Sequence, residues 1–285
     1  MIGVFDYVRV GSVKEGCDLL AEHEGRARVF AGGTDLLVNI RNNGVSPDLL
    51  VDIKGIEPLG KLTVDAPDAT IGACVPLNVI GENAAIAERC TALAQAALSV
   101  GSYQVRNRAT LAGNVANASP AADTAPALLV LDAHVAVQGK AGGRDIPISE
   151  LFLGVKKNSL AADEMITSIM LPSHAKHMRS AFIKKQRVRG HDLAVINMAG
   201  SLDQESGALR VAIGSCAVTP ILLSIDSPID CSAPIDELVA RIDKIAQDAI
   251  RPIDDLRGSA AYRRGLIPVF LRRLLTMLVE REGGE

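Results

Sequence analysis

A run of 21 residues, Arg106-Asn107-Arg108-Ala109-Thr110-Leu111-Ala112-Gly113-Asn114-Val115-Ala116-Asn117-Ala118-Ser119-Pro120-Ala121-Ala122-Asp123-Thr124-Ala125-Pro126, sets the terms for the rest of the chain. It is small, polar and turn-forming, and the apolar run Ala127-Leu128-Leu129-Val130-Leu131 follows it directly. A stretch of this length without secondary structure is either functional or disordered. Thr110, Asn114, Asn117 and Ser119 offer donors and acceptors within a short span, and Gly113 lets a backbone come close. Asp123 is placed to cap the next helix, with Pro126 tolerated in its first turn. Its carboxylate can also accept from a hydroxyl or a ring N–H. This composition predicts a loop folded around a polar ligand; the alternative is a plain Ser/Asn-rich turn region. Arg106 and Arg108 could offset phosphate charge or be ordinary solvated arginines.

A second turn has related chemistry. Ser12-Val13-Lys14-Glu15 reads as a capping box opening a helix to about Glu24, closed by Gly25. Arg28-Val29-Phe30-Ala31 reads as a buried strand, Gly32-Gly33 as a turn, and Thr34 or Asp35 as the cap of a helix ending near Asn42. Leu49-Leu50-Val51-Asp52-Ile53 is a further strand, giving a β–α–β unit with a preceding helix. A glycine turn between strand and helix presents backbone N–H groups to an anion. Ala31-Gly32-Gly33-Thr34-Asp35 is neither GxGxxG nor GxxxxGK[ST], so it fits no named nucleotide loop. The Asp35 carboxylate would repel a pyrophosphate that it faced, so its expected role is to cap the helix or to bond a ribose or ring nitrogen.

Beyond this unit, Leu62–Val64 and Ala69–Ala73 read as strands joined at Pro67-Asp68, and 76–87 and 91–100 as helices. His134–Gln138, Arg144–Ile148 and Glu164–Leu171 read as strands. Ser173-His174-Ala175-Lys176-His177 is the expected domain boundary. Ser180–Gln186, Ala194–Asp203 and Leu209–Val218 follow as strands, the last two forming a hairpin across Gln204-Glu205-Ser206-Gly207. Helices are expected over Pro234–Ala249 and from Ser259 to about Arg281. The basic run from Lys184 to Leu193 reads either as a solvated loop or as a lid over an anionic cofactor, with Lys184 reaching it.

Composition removes competing chemistries. A net charge of −3 with 3% aromatic residues and no Trp argues against nucleic-acid binding. The 5 cysteines are scattered without CxxC, which argues against a disulfide framework, a zinc site or an iron–sulfur site. His174-x-x-His177 has no third ligand, and there is no GxSxG. The N-terminal residues lack a basic n-region and an apolar h-region, and no apolar run reaches membrane-spanning length, so a cytoplasmic protein is expected. A length of 285 residues suggests two domains.

Three segments taken together carry a resemblance: Val29 to Leu37, Gln104 to Asp123, and Arg251-Pro252-Ile253-Asp254-Asp255-Leu256-Arg257-Gly258-Ser259-Ala260-Ala261-Tyr262-Arg263-Arg264. In this order and spacing the chain resembles the FAD-binding medium subunit of the molybdenum hydroxylases, the xanthine dehydrogenase and carbon monoxide dehydrogenase family, over nearly its whole length. The resemblance implies an α+β fold. A two-subdomain FAD-binding domain (vanillyl-alcohol oxidase-like, PCMH type) would span 1–175, with subdomains of about 1–57 and 58–175. A C-terminal α+β domain of carbon monoxide dehydrogenase flavoprotein type would span 178–285. It further implies that Ala31, Gly32, Gly33, Thr34 and Asp35 form one FAD loop and that Thr110, Gly113, Asn114, Ala116, Asn117 and Asp123 form the other. Ile169 or Met170 would pack near the flavin, and Lys184 would match a lysine near its ring. Some relatives carry a lysine just before the first loop, where this chain has Val29.

The implied function is electron transfer by an oxidoreductase subunit. Electrons would come from [2Fe–2S] clusters of a small partner subunit, a large molybdopterin subunit would act on the substrate, and the acceptor would be NAD, a quinone or oxygen. No catalytic side chain and no metal ligand is expected within this chain. The alternatives are a self-sufficient flavin-dependent oxidase or reductase, for which no acid/base cluster is evident, and a cofactor-free structural subunit.

Overall fold

The computed structural model describes residues 4–65, 68–173, 175, 178–188, 190–225 and 228–279. Pro67 of the expected turn, the His174/His177 pair at the expected boundary, Arg189 of the basic run and the helix end beyond Val279 lie outside these residues.

The chain begins with β1 (Asp6–Arg9), α1 (Val13–Glu22), β2 (Ala27–Phe30), α2 (Leu36–Arg41) and β3 (Leu49–Asp52). These form a parallel sheet in the order β1-β3-β2. All four residues of β1 are exposed, so no alternation marks it in the sequence. The Ser12 cap forms, its Oγ accepting from Glu15 N at 3.2 Å, while Glu15 reaches back to Gly11 N at 2.9 Å.

A second, antiparallel sheet has the order β4-β5-β10-β6-β7. Its strands are β4 (Leu62–Thr63), β5 (Ala69–Gly72), β6 (His134–Gly139), β7 (Gly142–Pro147) and β10 (Met165–Leu171). Between β5 and β6 lie α3 (Leu77–Gly81), α4 (Ala84–Arg89), α5 (Thr91–Ser99), α6 (Tyr103–Arg106), α7 (Leu111–Ala116) and α8 (Thr124–Val130). A short helix, α9 (Ile148–Leu151), and the small hairpin β8 (Phe152–Gly154) and β9 (Lys157–Asn158) connect β7 to β10. Two expectations change here. The helix over 76–87 is two helices, because Asn83 accepts from Ile86 N at 3.0 Å and restarts the chain. The run from Arg106 to Pro126 is not bare loop: Thr110 accepts from Gly113 N at 3.0 Å and caps α7.

The C-terminal part is a four-stranded antiparallel sheet, β11 (Arg179–Lys185), β12 (Ile196–Leu202), β13 (Leu209–Gly214) and β14 (Ile221–Leu222), followed by α10 (Ile235–Ala249) and α11 (Ala260–Val279). Every residue of β12 is buried, because helices cover both faces of the sheet. Ile196, Met198 and Leu202 pack with α10 and α11, while Ala199 joins the core of the first domain. Small residues make room: a Cβ on Gly200 would lie 2.9 Å from Leu274 Cδ2 of α11. On the opposite face Ser201 donates to the Val130 carbonyl of α8 at 2.7 Å. All seven residues of α8 are buried, and the core of the first domain extends through it to Phe182, Ala199 and Ala212 of the C-terminal sheet, whose other face packs a second core with α10 and α11.

The third motif is structural. Arg263 is 1% exposed and donates to the carbonyls of Val195 (2.9 Å) and Ile253 and to Asp255 Oδ1 (2.7 Å). Burial pushes the Asp255 carboxyl up, but the bonds from Arg257 and Arg263 outweigh it and hold the carboxyl far below its usual range. Arg263→Met strands these acceptors, and a loss of roughly 3 kcal/mol in unfolding free energy is expected. Urea melts of the two proteins, compared at their midpoints, check this.

Candidate functional site

The first loop leaves the end of β2 and enters α2. Gly33 has φ +73°, and a Cβ there would lie 3.0 Å from Cζ of the Phe30 ring, so glycine is required twice over. The backbone N–H groups of Gly32, Gly33, Thr34 and Asp35 donate to no acceptor among the described residues. Four successive free N–H groups in a turn that reaches solvent are available to an anion. Asp35 occupies the cap position of α2 but makes no side-chain cap bond. It reaches solvent, yet the protein packed around it pushes its carboxyl up, with Lys156 opposing.

The second loop meets the first directly. A Cβ on Gly32 would lie 2.7 Å from the Arg108 carbonyl carbon and 3.0 Å from Ala109 Cα. Ala109 is in turn held by its own backbone, its N–H on Val105 O at 2.8 Å and its carbonyl on Leu77 N at 2.9 Å. From this junction Thr110 is buried as the cap of α7, whereas Gly113 is exposed and Asn114, Ala116 and Asn117 are part-exposed. Thr124 donates to Asn114 Oδ1 at 2.7 Å, which leaves the Asn114 NH2 group for another partner. Ala116 is fixed through its carbonyl, which accepts from Asn158 Nδ2 at 2.7 Å. Arg106 is not at the open surface of the loop: it donates to Asn78 Oδ1 at 2.8 Å and to the Val100 carbonyl at 3.1 Å. Arg108 is exposed.

Asp123 ends the loop at the cap position of α8 but makes no side-chain cap bond. Its carboxylate is turned to the C-terminal sheet. Oδ2 accepts from Lys184 Nζ at 2.6 Å, Oδ1 accepts from Asn197 Nδ2 at 2.9 Å, and Lys184 also donates to the Ser99 carbonyl at 3.1 Å. Lys184 and Asn197 are paired positions on β11 and β12, so one cross-strand pair clasps one carboxylate. Burial pushes the Asp123 carboxyl up, and Lys184 opposes it. Asn197 Oδ1 is buried without a hydrogen-bond partner among the described residues. Gly214 explains its place: a Cβ there would strike Asn197 Oδ1, so the bare glycine Cα lies against that oxygen as a weak C–H donor. Lys184 therefore belongs to a strand, with its side chain 6% exposed, rather than standing in a lid; the basic run after it is tied by Arg187 to Asp192 at 3.2 Å.

Ile169 and Met170 lie on β10, between β5 and β6. Ile169 is fully buried in the core, while Met170, on the opposite face, is part-exposed. Asn197 went unread in the sequence because it lies inside an apolar strand. Its register opposite Lys184 was the available signal.

These features fit a dinucleotide: free N–H groups for a pyrophosphate, part-exposed amides and a hydroxyl for sugar and phosphate oxygens, and a glycine junction that a side chain would force apart. No group of three or more His, Cys, Asp or Glu side chains is placed to hold a metal among the described residues. No helix among them is long and apolar enough to cross a membrane.

Comparison with known proteins agrees. The family model for the FAD binding domain in molybdopterin dehydrogenase matches residues 3–174, and that for the CO dehydrogenase flavoprotein C-terminal domain matches residues 181–278. The chain is 29% identical over 293 residues to the xanthine dehydrogenase FAD-binding subunit of Escherichia coli O157:H7, covering 100% of this chain and 99% of that protein. It is 28% identical over 275 residues to the carbon monoxide dehydrogenase medium chain of Hydrogenophaga pseudoflava, covering 95% and 96%. Among solved structures, carbon monoxide dehydrogenase from Hydrogenophaga pseudoflava lacking the Mo-pyranopterin moiety of its cofactor superposes with a TM-score of 0.90 at 27% identity, over 98% of both chains. The fold is α+β, an FAD-binding domain followed by the CO dehydrogenase flavoprotein C-terminal domain, and the chain belongs to the FAD-binding medium subunits of the molybdenum hydroxylase family, the flavoprotein subunits of oxidoreductases.

Proposed function

We propose that this chain is the electron-transfer subunit of a molybdenum-containing hydroxylase or dehydrogenase. It stands between the [2Fe–2S] clusters of a small partner subunit and an external acceptor, NAD, a quinone or oxygen, while a large molybdopterin subunit acts on the substrate. The observation that supports this most is the junction of the two loops at Gly32 and Arg108, with four unengaged N–H groups beside it. FAD, when bound, supplies the redox chemistry. The protein's part is to bind, orient and shield.

Ala31 to Asp35 would hold the pyrophosphate, with Thr34 adding a hydroxyl. Gly113, Asn114, Ala116 and Asn117 would form the opposite wall, on a loop shaped by Thr110. Asp123 and Lys184 would meet the cofactor from the side where the domains join. Met170 would offer a side chain and Ile169 the core packing behind it. The domain limits we propose are 1–175 and 178–285. No acid/base side chain is needed to receive electrons, and none is assigned.

Gly113 gives a clean test. It is exposed, and a Cβ there would meet only Thr110 Oγ1, at 3.0 Å. The fold of Gly113→Val should therefore survive while FAD is kept from its wall. Purified wild-type protein should show visible flavin absorption. The variant should take up FAD at least about tenfold more weakly, with an unchanged melting temperature. A colourless wild type that cannot be reconstituted with FAD would end this reading. For the partners, a tagged chain expressed from its native host should bring down chains carrying iron and molybdenum; its isolation as a metal-free, substrate-oxidising flavoprotein would favour the self-sufficient oxidase instead.

A further inference from the structure

Ala31 is the first residue past β2, and its carbonyl has no strand to bond. β2 is an edge strand whose neighbour, β3, ends at Asp52, level with Phe30. The chain then makes a tight turn at Ile53–Gly55, packed so closely that a Cβ on Gly55 would run into the Val10 carbonyl. This turn aims Lys54 at the first loop. Lys54 Nζ donates to the Ala31 carbonyl at 3.1 Å and lies 4.0 Å from the centroid of the Phe30 ring. That ring is the one lying under Gly33.

Behind the ammonium is a buried carboxylate. Asp52 Oδ1 is 2.7 Å from Lys54 Nζ and accepts from Lys54 N at 2.9 Å. Its other oxygen accepts from the Tyr7 hydroxyl, and the Tyr7 ring meets Phe30 edge-on at 6.2 Å. The Lys54 amine is thus held by Asp52 on one side and the Phe30 ring on another, and has the loop on the third. Its charge is balanced by Asp52, so its effect on a bound anion is geometric rather than a long-range attraction.

We propose that Lys54 is a positioning residue for the first cofactor loop: by fixing the Ala31 carbonyl it keeps the Gly32 N–H turned toward the cofactor. The link is covalent geometry, because in a planar trans peptide the carbonyl and the following N–H point in opposite directions. Pinning one therefore aims the other. Phe30, packed between Lys54 and Gly33, ties the turn that follows to the same lysine. The proposal rests on the reading of Ala31 to Asp35 as the FAD loop and adds to it a lysine from a different element.

The test is FAD titration of the apo full-length protein, followed by flavin fluorescence, for the wild type, Lys54→Met, Lys54→Arg and Gly32→Ala. Lys54→Met should raise the Kd about tenfold, the loss of one charged hydrogen bond, and Lys54→Arg should restore most of it. Lys54→Met alone leaves Asp52 uncompensated, so the charge-balanced double variant Lys54→Met/Asp52→Asn is the control: it should lose the same affinity and keep the wild-type salt dependence, because no net charge has left the site. Wild-type affinity in Lys54→Met, with binding lost in Gly32→Ala, would overturn the proposal and leave the loop reading standing. Wild-type affinity in both would remove the loop reading itself. Equal loss in the Met and Arg variants, with the apo melting temperature lowered in both, would make Lys54 a fold-stabilising residue and also overturn the proposal.

Discussion

Gly32→Ala protein is expected to purify without FAD and to rebind it about a hundredfold more weakly. The new methyl would stand 2.7 Å from the Arg108 carbonyl carbon and 3.0 Å from Ala109 Cα. These are backbone atoms, and no rotamer change relieves them. The Ala109 backbone is bonded to Val105 and to Leu77, so the second loop cannot withdraw without breaking α6 or the bond to α3. The loops must instead part, which opens the cradle between them. Overpacking of this kind costs about 1–3 kcal/mol, and the upper end corresponds to roughly a hundredfold in Kd. Because the strain falls between the loops and not in the C-terminal core, far-UV circular dichroism should be unchanged. Retention of FAD in Gly32→Ala would mean that the cofactor does not lie at the loop junction.

Lys184→Met should have the largest effect on stability, about 3–5 kcal/mol near pH 7, because it removes one partner of a buried ion pair. Asp123 is 5% exposed and would keep Asn197 but no cation. Burial already pushes this carboxyl up against the opposing pull of Lys184, and without the lysine it rises further. The sign of the pH dependence follows. A carboxyl whose folded-state pKa is raised holds its proton more tightly in the folded than in the unfolded protein. The stability it gives is fully present below the unfolded value near 4 and is lost as pH rises through the folded value. The deficit of Lys184→Met should therefore be smaller near pH 5 than near pH 7. Urea melts at both pH values measure it, and a deficit independent of pH would show that Asp123 is not the stranded group. Adding Asp123→Leu to Lys184→Met should recover most of the loss, since neither charge is then left buried alone.

The parts of the chain with a repeating physical signature were legible in its sequence. The hairpin of β12 and β13, the helices α10 and α11 and the glycine turn at Gly32-Gly33 all declare themselves through periodicity or through a residue type that only one conformation needs. The second loop was legible as a polar surface but not as a structure: α7 is six residues long, too short to show a helical period, and depends on the Thr110 cap. β1 was missed because nothing in it is buried. The clasp on Asp123 was half legible. Lys184 stands out in the sequence, but its setting reads equally as a solvated loop or a lid, because a basic run following a strand looks the same whether its first lysine is buried or not. Asp52, Lys54 and Tyr7 gave no signal at all. Their meeting depends on a parallel pairing of β1 with β3, and Tyr7 and Asp52 are 45 residues apart.

The burial of α8 has a consequence for the order in which this protein can be made. Its apolar residues are covered in large part by β12 and β13, which a ribosome delivers only much later, since chains emerge N-terminus first. Until the segment through Gly214 has been released, α8 has only α5, α7 and α9 to settle on and its sheet-facing side stays bare, and Asp123 waits for both Lys184 and Asn197. A nascent chain arrested before β12 should therefore recruit holdase chaperones and be cut readily by protease near residue 130, whereas one released through α11 should resist both.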